Sequence, residues 1–256
     1  MNLKIKDILK ATNGTLLAGK EDAECENFSV DTRTIKTGDT YIALNGGKYN
    51  GNLFWKEAFC NGASTVIIED IEVGPREIED YRDKNIIKVE NTRNALKEIA
   101  RAKRNLYKNW KDLIVVAVTG SVGKTSTKDV IANVLSQKYK TLKTEGNMNN
   151  DIGLPLTILK LKDHEALVVE MGMNHLGEIS ELSKIARPLV SVITNVGTAH
   201  IGNLGSRENI LKAKLEILDG MDLPIVVINN DNDMLNKWAK EHEYDVNIRQ
   251  FGIQNR

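Results

Sequence analysis

The chain has 256 residues, and its 35 Lys and Arg residues balance its 35 Asp and Glu residues. A formal net charge of zero gives no global basic field, which argues against nucleic acid and anionic membranes as partners. The two cysteines form neither a disulfide framework nor a metal-binding spacing, and no run approaches the ~18 apolar residues of a membrane span. These features indicate a protein of the reducing cytoplasm.

The first part of the chain alternates short helical and extended patterns. Apolar residues between Leu3 and Leu9 have helical spacing, and two short strands are predicted around a turn at 36–39. Further elements are predicted as a helix at 53–61 and strands at 64–68 and 86–89. We therefore predict a small N-terminal α/β domain over residues 1–88 and a second domain over residues 89–256.

The segment 91–110, which ends at Trp110, places apolar residues at helical spacing with basic residues between them. This pattern favours an amphipathic helix with a basic, solvent-facing side. A nucleic-acid-binding arm is the alternative, and the balanced charge of the chain disfavours it.

The second part of the chain alternates apolar runs with helical segments. The runs lie at 113–118, 166–169, 190–193 and 225–228, and the helices between them at 127–139, 177–186 and 208–218. Near-continuous apolar runs are typical of strands that are buried on both faces. The second domain is therefore predicted to contain a mainly parallel sheet flanked by helices.

A glycine-rich loop follows the first of these runs. Its sequence is Thr119-Gly120-Ser121-Val122-Gly123-Lys124-Thr125-Ser126. Glycines let backbone N–H groups approach phosphate oxygens, a lysine adds positive charge, and a threonine hydroxyl can bind Mg²⁺. The loop is shorter than the general phosphate-loop pattern, because Val118 stands where the first glycine is expected. A plain glycine turn is the alternative, but the strand, the turn, the Lys-Thr pair and the helix together favour a phosphate loop.

Polar residues also follow the later apolar runs. They are Glu170 after the second run, Asn195 and His200 after the third, and Asn229 and Asp231 after the fourth. Ligands of open parallel sheets bind beyond the carboxyl ends of the strands. Glu170 is a candidate Mg²⁺ ligand or a capping glutamate, and His200 is a metal ligand, a phosphate contact or a structural histidine.

Two further segments carry candidates that spacing alone does not select. Lys214 lies in a helical pattern beside Lys212, and nothing in the spacing distinguishes the two. The segment 146–155 is rich in amides and glycines, which favours either a loop that binds polar substrate groups or a plain loop with Asx turns.

The order of these motifs resembles the Mur ligases, which build the peptide of the bacterial cell-wall precursor. The motifs that carry the resemblance lie at 29–33, 38–44, 119–128, 146–155, 170–179 and 195–200. They are most similar to the branch that joins D-alanyl-D-alanine to UDP-N-acetylmuramoyl-tripeptide, and the resemblance covers nearly the whole chain.

The resemblance implies the roles of individual residues. ATP would be bound by Thr119, Gly120, Ser121, Val122, Gly123, Lys124, Thr125 and Ser126, and on its adenosine side by Asn229, Asp231 and Asn232. Mg²⁺ would be bound by Thr125, Glu170, His200 and Lys214, of which the last three are also expected, with Lys124, to be catalytic. The UDP end would contact Ser29, Asp31, Thr32 and Arg33, and the muramoyl peptide would contact Asn147, Asn149 and Asn150. Lys214 matches a lysine that is carbamylated in related ligases, and whether this branch shares that modification stays open.

The implied reaction is ATP-dependent amide formation through an acyl phosphate, by a monomeric enzyme. A sister ligase with another amino-acid acceptor, a general phosphate-loop GTPase or kinase, and a catalytically silent nucleotide-binding or interaction fragment are the alternatives.

Four departures from the family pattern accompany the resemblance. Val122 replaces a usual asparagine, Ser126 replaces a usual threonine, and Asn50-Gly51-Asn52 stands where Asp-Gly-His is common. The chain also ends before the C-terminal domain through which the family receives D-alanyl-D-alanine. We therefore expect an incomplete central domain and no turnover by this chain alone.

Overall fold

A computed structural model of the protein describes residues 2–47, 49–109, 111–242 and 246–254. Its contacts divide the chain into two compact units, Met1–Leu106 with Ile158–Lys162 and Tyr107–Thr157 with Asp163–Arg256. The predicted boundary at residues 88 and 89 therefore differs from this division. The reason is that the helix Thr92–Asn105 packs in the first unit, against the helix Ile5–Thr12.

The first unit is an α/β fold. Its strands are β1 (Leu3–Lys4), β2 (Thr15–Ala18), β3 (Glu24–Cys25), β4 (Phe28–Ser29), β5 (Thr40–Ile42), β6 (Thr65–Ile68) and β7 (Asn85–Lys88). Its helices are α1 (Ile5–Thr12), α2 (Trp55–Cys60), α3 (Pro75–Asp80) and α4 (Thr92–Asn105), with 3₁₀ turns at Thr32–Thr34 and Gly51–Phe54.

The main sheet of the first unit has the strand order β2-β7-β6-β5-β4. All neighbours are parallel except β2, which is antiparallel to β7. The two strands predicted around residues 36–39 are β4 and β5, and they lie parallel because the 3₁₀ turn Thr32–Thr34 lengthens their connection. Buried Tyr41, Val66 and Ile68 pack with Trp55 and Phe59 of α2 on one face of this sheet.

Helix α4 is amphipathic, as its spacing predicts, with Leu96 and Ile99 fully buried. The expected basic solvent-facing side is wrong at its last turn, where Lys103 and Arg104 are only 1% and 6% exposed. Long aliphatic stems allow such residues to be buried, and the negative end of the helix dipole favours cations there. The last residue of the predicted helix, Trp110, lies outside the described residues.

The second unit contains the remaining elements, except that Ile158 and Leu159, at the end of a helix, belong to the first unit. Its strands are β8 (Ile114–Thr119), β9 (Thr141–Lys143), β10 (Ala166–Glu170), β11 (Val190–Ile193), β12 (Ile225–Asn229) and β13 (Asn247–Phe251). The helices are α5 (Lys124–Leu135), α6 (Gly153–Leu159), α7 (Glu178–Ala186), α8 (Ile201–Leu204), α9 (Arg207–Leu215) and α10 (Asp233–Glu241), with a 3₁₀ turn at Glu216–Gly220.

The sheet of the second unit has the strand order β13-β12-β11-β8-β10-β9, and every neighbouring pair is parallel. This confirms the predicted α/β class with a mainly parallel sheet. The next two strands in the chain, β9 and β10, lie on one side of β8, and the last three, β11 to β13, lie on the other side. Such a reversal opens a crevice at the carboxyl ends of the strands, where ligands bind in folds of this kind.

The sequence pattern does not predict β9 and β13, because both strands are short or polar and partly exposed. Among the helices of the described residues, none combines the length and the apolar character that crossing a lipid bilayer would require.

Candidate active site

The loop between β8 and α5 has a backbone that requires glycine at two positions. Gly120 has φ +150°, and a Cβ there would lie 1.8 Å from Thr194 Oγ1. Gly123 has φ +81° and lies directly before the first residue of α5. Both conformations are rare for residues with a side chain. The glycine spacing of the sequence is therefore explained by the tight path of the chain from the strand into the helix.

Residues that follow β11 hold this loop in place. Asn195 accepts hydrogen bonds from Ser121 N through its carbonyl oxygen at 3.1 Å and from Val122 N through Oδ1 at 2.9 Å. Thr194 Oγ1 donates to Val122 O at 2.6 Å, and Gly197 N donates to Ser121 Oγ at 2.9 Å. The loop is thus anchored on the side of β11 before any ligand binds.

Helix α5 presents two polar side chains at its first turn. Lys124 Nζ donates to Gly120 O at 3.0 Å and so lies over the loop. The next residue, Thr125, donates from Oγ1 to Glu170 Oε2 at 2.8 Å. The helix N-terminus adds partial positive charge beside the lysine. This arrangement is suited to an anion above the loop.

Glu170, the last residue of β10, is 2% exposed. Its second carboxylate oxygen, Oε1, accepts a hydrogen bond from Asn149 Nδ2 at 2.8 Å. Both partners are neutral, and within the described residues Glu170 has no salt bridge. A buried carboxylate without a cation is energetically costly, so its surroundings favour the binding of one.

The donor set fits Mg²⁺. A carboxylate oxygen of Glu170 and the hydroxyl of Thr125 are the hard oxygen ligands that this ion prefers. Across the parts of the chain that the structure describes, no group of three or more His, Cys, Asp or Glu side chains lies together as a metal cluster. Two protein ligands, Glu170 and Thr125, suit Mg²⁺, because this ion usually keeps several waters and phosphate oxygens in its coordination shell.

Lys214 lies on α9, and its side chain is buried, with 2% exposure. Burial and the nearby charge of Lys124 lower the pKa of Lys214 from 10.5 to about 8. No described residue forms a hydrogen bond or salt bridge with its ammonium group. At pH 7 about a tenth of the Lys214 side chain is therefore a neutral, nucleophilic amine.

One cavity brings seven of the predicted residues of this unit together, whereas Thr125 and Glu170 are outside its lining. Its lining includes Thr119, Gly120, Lys124, Asn149, Asn150, Glu178, His200 and Lys214. His200 adopts the left-handed conformation, with φ +65°, directly before α8. Neither Glu178 nor this backbone feature was expected from the sequence, because neither has a local pattern.

The predicted adenosine contacts have structural partners elsewhere. Asp231 accepts hydrogen bonds from Ile253 N and Gln254 N, and Asn232 caps α10 through Leu235 N. Asn229 Oδ1 accepts a hydrogen bond from Asp231 N. None of the three predicted residues is among those that line the cavity. Asn147, an exposed residue, is also outside that lining.

A separate cavity lies within the first unit and includes three of the predicted residues there. Its polar and aromatic lining comprises Asp31, Thr32, Arg33, Tyr41, Tyr49, Phe54 and Glu57. Ser29 is not part of that lining, and its hydroxyl accepts a hydrogen bond from Asp31 N. Glu57 and Phe54 were missed from the sequence, because α2 shows only a helical pattern.

Arg33 and Asp31 form an ion pair in this first-unit cavity, and Glu57 has a neutral hydrogen-bonding partner. Arg33 Nη2 lies 2.6 Å from Asp31 Oδ2, and hydrogen bonds from Arg33 lower the pKa of Asp31 to about 2. Thr32 Oγ1 donates to Glu57 Oε1 at 2.7 Å. Burial raises the pKa of Tyr41 to about 12, with a smaller contribution from Asp31 and Glu57.

Comparisons with known proteins give the family. A model of the Mur ligase middle domain matches residues 118–256, and a model described as Mur ligase family, catalytic domain, matches residues 24–104. The chain belongs to the Mur ligase family.

Similar Mur ligases include the UDP-N-acetylmuramoyl-tripeptide–D-alanyl-D-alanine ligase of Bacillus subtilis, which is 40% identical over 92% of this chain and 50% of its own length. The Escherichia coli ligase of the same name is 35% identical over 92% of this chain and 49% of its own length. The chain therefore spans about half the length of these curated relatives.

Solved Mur ligases share the fold of the chain. A crystal structure of MurF from Acinetobacter baumannii has a TM-score of 0.86 and 31% identity, with coverage of 100% of this chain and 54% of that one. MurF from Thermotoga maritima in complex with ADP has a TM-score of 0.77 and 36% identity, with coverage of 90% and 51%.

Two of the departures from the Mur ligase pattern, Val122 and Asn52, have defined local contacts in this chain. The Val122 side chain is 65% exposed, and the loop contacts at this position are made by its backbone N and O atoms. In the first unit, Asn52 is fully buried, donates from Nδ2 to Asn50 Oδ1 at 2.9 Å and accepts from Glu69 N at 2.8 Å. Asn52 therefore has a structural role in this chain.

Proposed function

We propose that this chain carries the nucleotide- and precursor-binding part of an ATP-dependent ligase that joins D-alanyl-D-alanine to UDP-N-acetylmuramoyl-tripeptide in the cytoplasm. The observation that carries the proposal is the buried carboxylate of Glu170, in contact with Thr125 directly beside the Lys124 loop. The names and folds of the similar ligases support the same substrates.

The reaction requires a carboxylate to become an electrophile. The tripeptide carboxylate attacks the γ-phosphorus of ATP, ADP leaves, and the resulting acyl phosphate is attacked by the amine of D-alanyl-D-alanine with loss of phosphate. Charge builds up on the phosphoryl oxygens during the first step. Lys124 and the N-terminus of α5 are placed to stabilise that charge.

Thr125 and Glu170 are the residues that would hold Mg²⁺, which supplies further charge neutralisation to the phosphates when bound. His200 lines the cavity that also includes Lys124, Asn149 and Lys214, and it is assigned to the same metal site. Asn149 supports this role, because its amide fixes the orientation of the Glu170 carboxylate.

Lys214 is proposed to react with carbon dioxide. Its neutral amine would form a C–N bond to CO₂ and release a proton, which yields a carbamate anion. The product would replace the repulsion between Lys214 and Lys124 with an attraction. It would also add an oxygen ligand to the metal site.

The remaining assignments complete the proposal. Asp31, Thr32 and Arg33, supported by Ser29, are assigned to the UDP end of the precursor. Asn147, Asn149 and Asn150 are assigned to the muramoyl peptide, and Asn229, Asp231 and Asn232 to the adenosine side of ATP. A monomeric state is part of the same proposal.

Calorimetric titration of the chain with ATP and Mg²⁺, and separately with UDP-N-acetylmuramoyl-tripeptide, tests the proposal. Binding of both ligands is expected. In the Lys124→Ala variant, the ATP affinity should fall by about 10–100-fold, because a hydrogen bond from a charged donor is lost. Lys212→Ala, which removes an exposed lysine of α9, is the matched control and should bind ATP normally.

The outcomes separate the alternatives. Preference for a precursor with a shorter peptide would favour a sister ligase. Failure to bind either ligand would contradict the proposal and favour an interaction fragment. Normal ATP binding by Lys124→Ala would contradict the role given to the lysine.

A further inference from the structure

Lys128 is a buried cation to which the proposed reaction gives no role. It lies on α5 one helical turn after Lys124 and is 2% exposed. Its ammonium donates to Thr144 O at 2.9 Å and lies 3.4 Å from Asp129 Oδ1. Because a buried ammonium is costly unless it is paired and hydrogen-bonded, these contacts define one position for the side chain.

Thr144, which follows β9, connects this lysine to Glu170. It is fully buried, and its Oγ1 accepts a hydrogen bond from Glu170 N at 3.1 Å. Its own N–H donates to Val168 O at 3.0 Å, which continues the pairing of β9 with β10. Lys128 therefore contacts the residue that fixes the backbone of Glu170.

These contacts close a ring through the candidate metal site. Thr125 Oγ1 donates to Glu170 Oε2 at 2.8 Å, Glu170 N donates to Thr144 Oγ1, and Lys128 donates to Thr144 O. Helix α5 joins Thr125 to Lys128 and completes the ring. Helix α5 is thus attached to the end of β10 in two ways, which restrains the distance between the Thr125 hydroxyl and the Glu170 carboxylate.

We propose that Lys128 is a positioning residue for the metal-binding pair Thr125 and Glu170. Its buried ammonium holds Thr144, Thr144 holds the backbone of Glu170, and the carboxylate is thereby kept beside the Thr125 hydroxyl. Partners behind metal ligands commonly set metal affinity in this way. The inference rests on the proposed function for the identity of the ligand, Mg²⁺ with a nucleotide.

Lys143 offers a matched control. Its ammonium lies 2.8 Å from the same Asp129 oxygen, but its side chain is 41% exposed, and among the described residues Asp129 is its hydrogen-bonding partner. Lys143→Met therefore removes a lysine and an ion pair with Asp129 without breaking the ring. Lys128→Met removes the ring contact, and Lys128→Arg keeps a positive donor at that position.

The first test is a Mg²⁺ titration of ATP binding by calorimetry, repeated without Mg²⁺ in the presence of EDTA. Lys128→Met should raise the Mg²⁺ concentration at half-saturation by about tenfold, with less than about a twofold change in ATP affinity in EDTA. Lys143→Met should match the unmodified chain, and Lys128→Arg should recover part of the loss. Equal losses with and without Mg²⁺ would contradict the proposal, because they indicate a general structural role.

Thr144→Val and Thr144→Ser give the same test without a change at the buried lysine. Valine removes the acceptor for Glu170 N but keeps the carbonyl that Lys128 binds, and serine keeps both. Thr144→Val should reproduce the Mg²⁺ effect of Lys128→Met, and Thr144→Ser should not. These variants decide the question if Lys128→Met does not fold.

A second measurement does not depend on the ligand. In denaturant unfolding without nucleotide or metal, Thr125→Val and Lys128→Met form a double-mutant cycle. If the ring couples the two residues, the unfolding equilibrium constant of the double variant should differ by more than about twofold from the value expected when the two single effects are multiplied. Additive effects would overturn the positioning role. Absence of Mg²⁺-dependent ATP binding by the unmodified chain would instead contradict the proposed function, and the cycle would still decide the role of Lys128.

Discussion

The charged groups of the two candidate sites lie in different surroundings. In the first unit, Arg33 pairs with Asp31, and Glu57 accepts a hydrogen bond from Thr32. In the second unit, Glu170 and Lys214 are buried, and neither has a salt-bridge partner among the described residues. Paired groups near the surface contribute little stability and impose little cost, whereas buried unpaired charges are costly until a ligand compensates them.

This difference indicates which unit has charged groups that a ligand would compensate. The second unit has side chains whose charge is suited to a metal ion, a phosphate or a reaction with CO₂. The first unit presents aromatic and already paired polar groups, which suit recognition of a ligand by its shape and hydrogen bonds. Substitutions that neutralise the buried groups should therefore change ligand binding strongly, and those in the first cavity should change stability weakly.

The largest effect is expected for Glu170→Gln. Glutamine can keep the hydrogen bonds with Thr125 and Asn149 but removes the negative charge, so Mg²⁺-dependent ATP affinity should fall by about 100-fold or more. In the absence of ligand, the free energy of unfolding should change by less than about 1 kcal/mol, because the buried charge is not paired. Calorimetry and denaturant unfolding measure the two quantities.

Glu208→Gln is the control for this change, since Glu208 is an exposed residue of α9. It should leave both quantities unchanged. A large loss of stability in Glu170→Gln would contradict the view that Glu170 is an unsatisfied charge in the free protein.

An intermediate effect is expected for Lys214→Met and depends on pH. The pKa of Lys214 is about 8 in the folded chain and 10.5 in its ordinary state, so the unfolded chain binds more protons between these values. The stability of the unmodified chain should therefore rise with pH across this window, by about 3 kcal/mol relative to Lys214→Met.

The comparison of the two chains in CO₂-free buffer isolates this residue, because the other titrating groups are shared. Lys212→Met should show the pH dependence of the unmodified chain. Identical pH profiles for Lys214→Met and the unmodified chain would show that the lysine is not destabilised in its charged form.

The smallest effect is expected for Asp31→Asn. The pKa of Asp31 is lowered from 3.8 to about 2, so the stability from its ionised form is present above the higher value and is lost as the pH falls through the lower one. Because Arg33 is largely exposed, the loss at neutral pH should be below about 1 kcal/mol. Arg33→Gln should act in the same direction, and a loss above about 2 kcal/mol in Asp31→Asn would remove the contrast between the two units.

Local patterns predicted a large part of the second unit. The apolar runs are β8, β10, β11 and β12, and the Gly-Lys-Thr pattern marks the start of α5, because both depend on residues close together in the chain. The same reasoning missed β9 and the position of Thr144, which follows it. The three residues of β9 are partly buried and have no distinctive hydrophobic period. It also placed the unit boundary before α4, since an amphipathic pattern does not say which unit covers its apolar side.

The sequence by itself determined the α/β class, the parallel sheet and the phosphate-type loop, since hydrophobic period and glycine spacing act over a few residues. Tertiary structure alone decided which polar residues became a site. Lys214 is buried, whereas Lys212, two residues earlier on α9, is exposed. Glu170 acquires Asn149 and Thr125 as partners only when distant segments meet. Burial and charge depend on every neighbour in space, and those neighbours are absent from any local pattern.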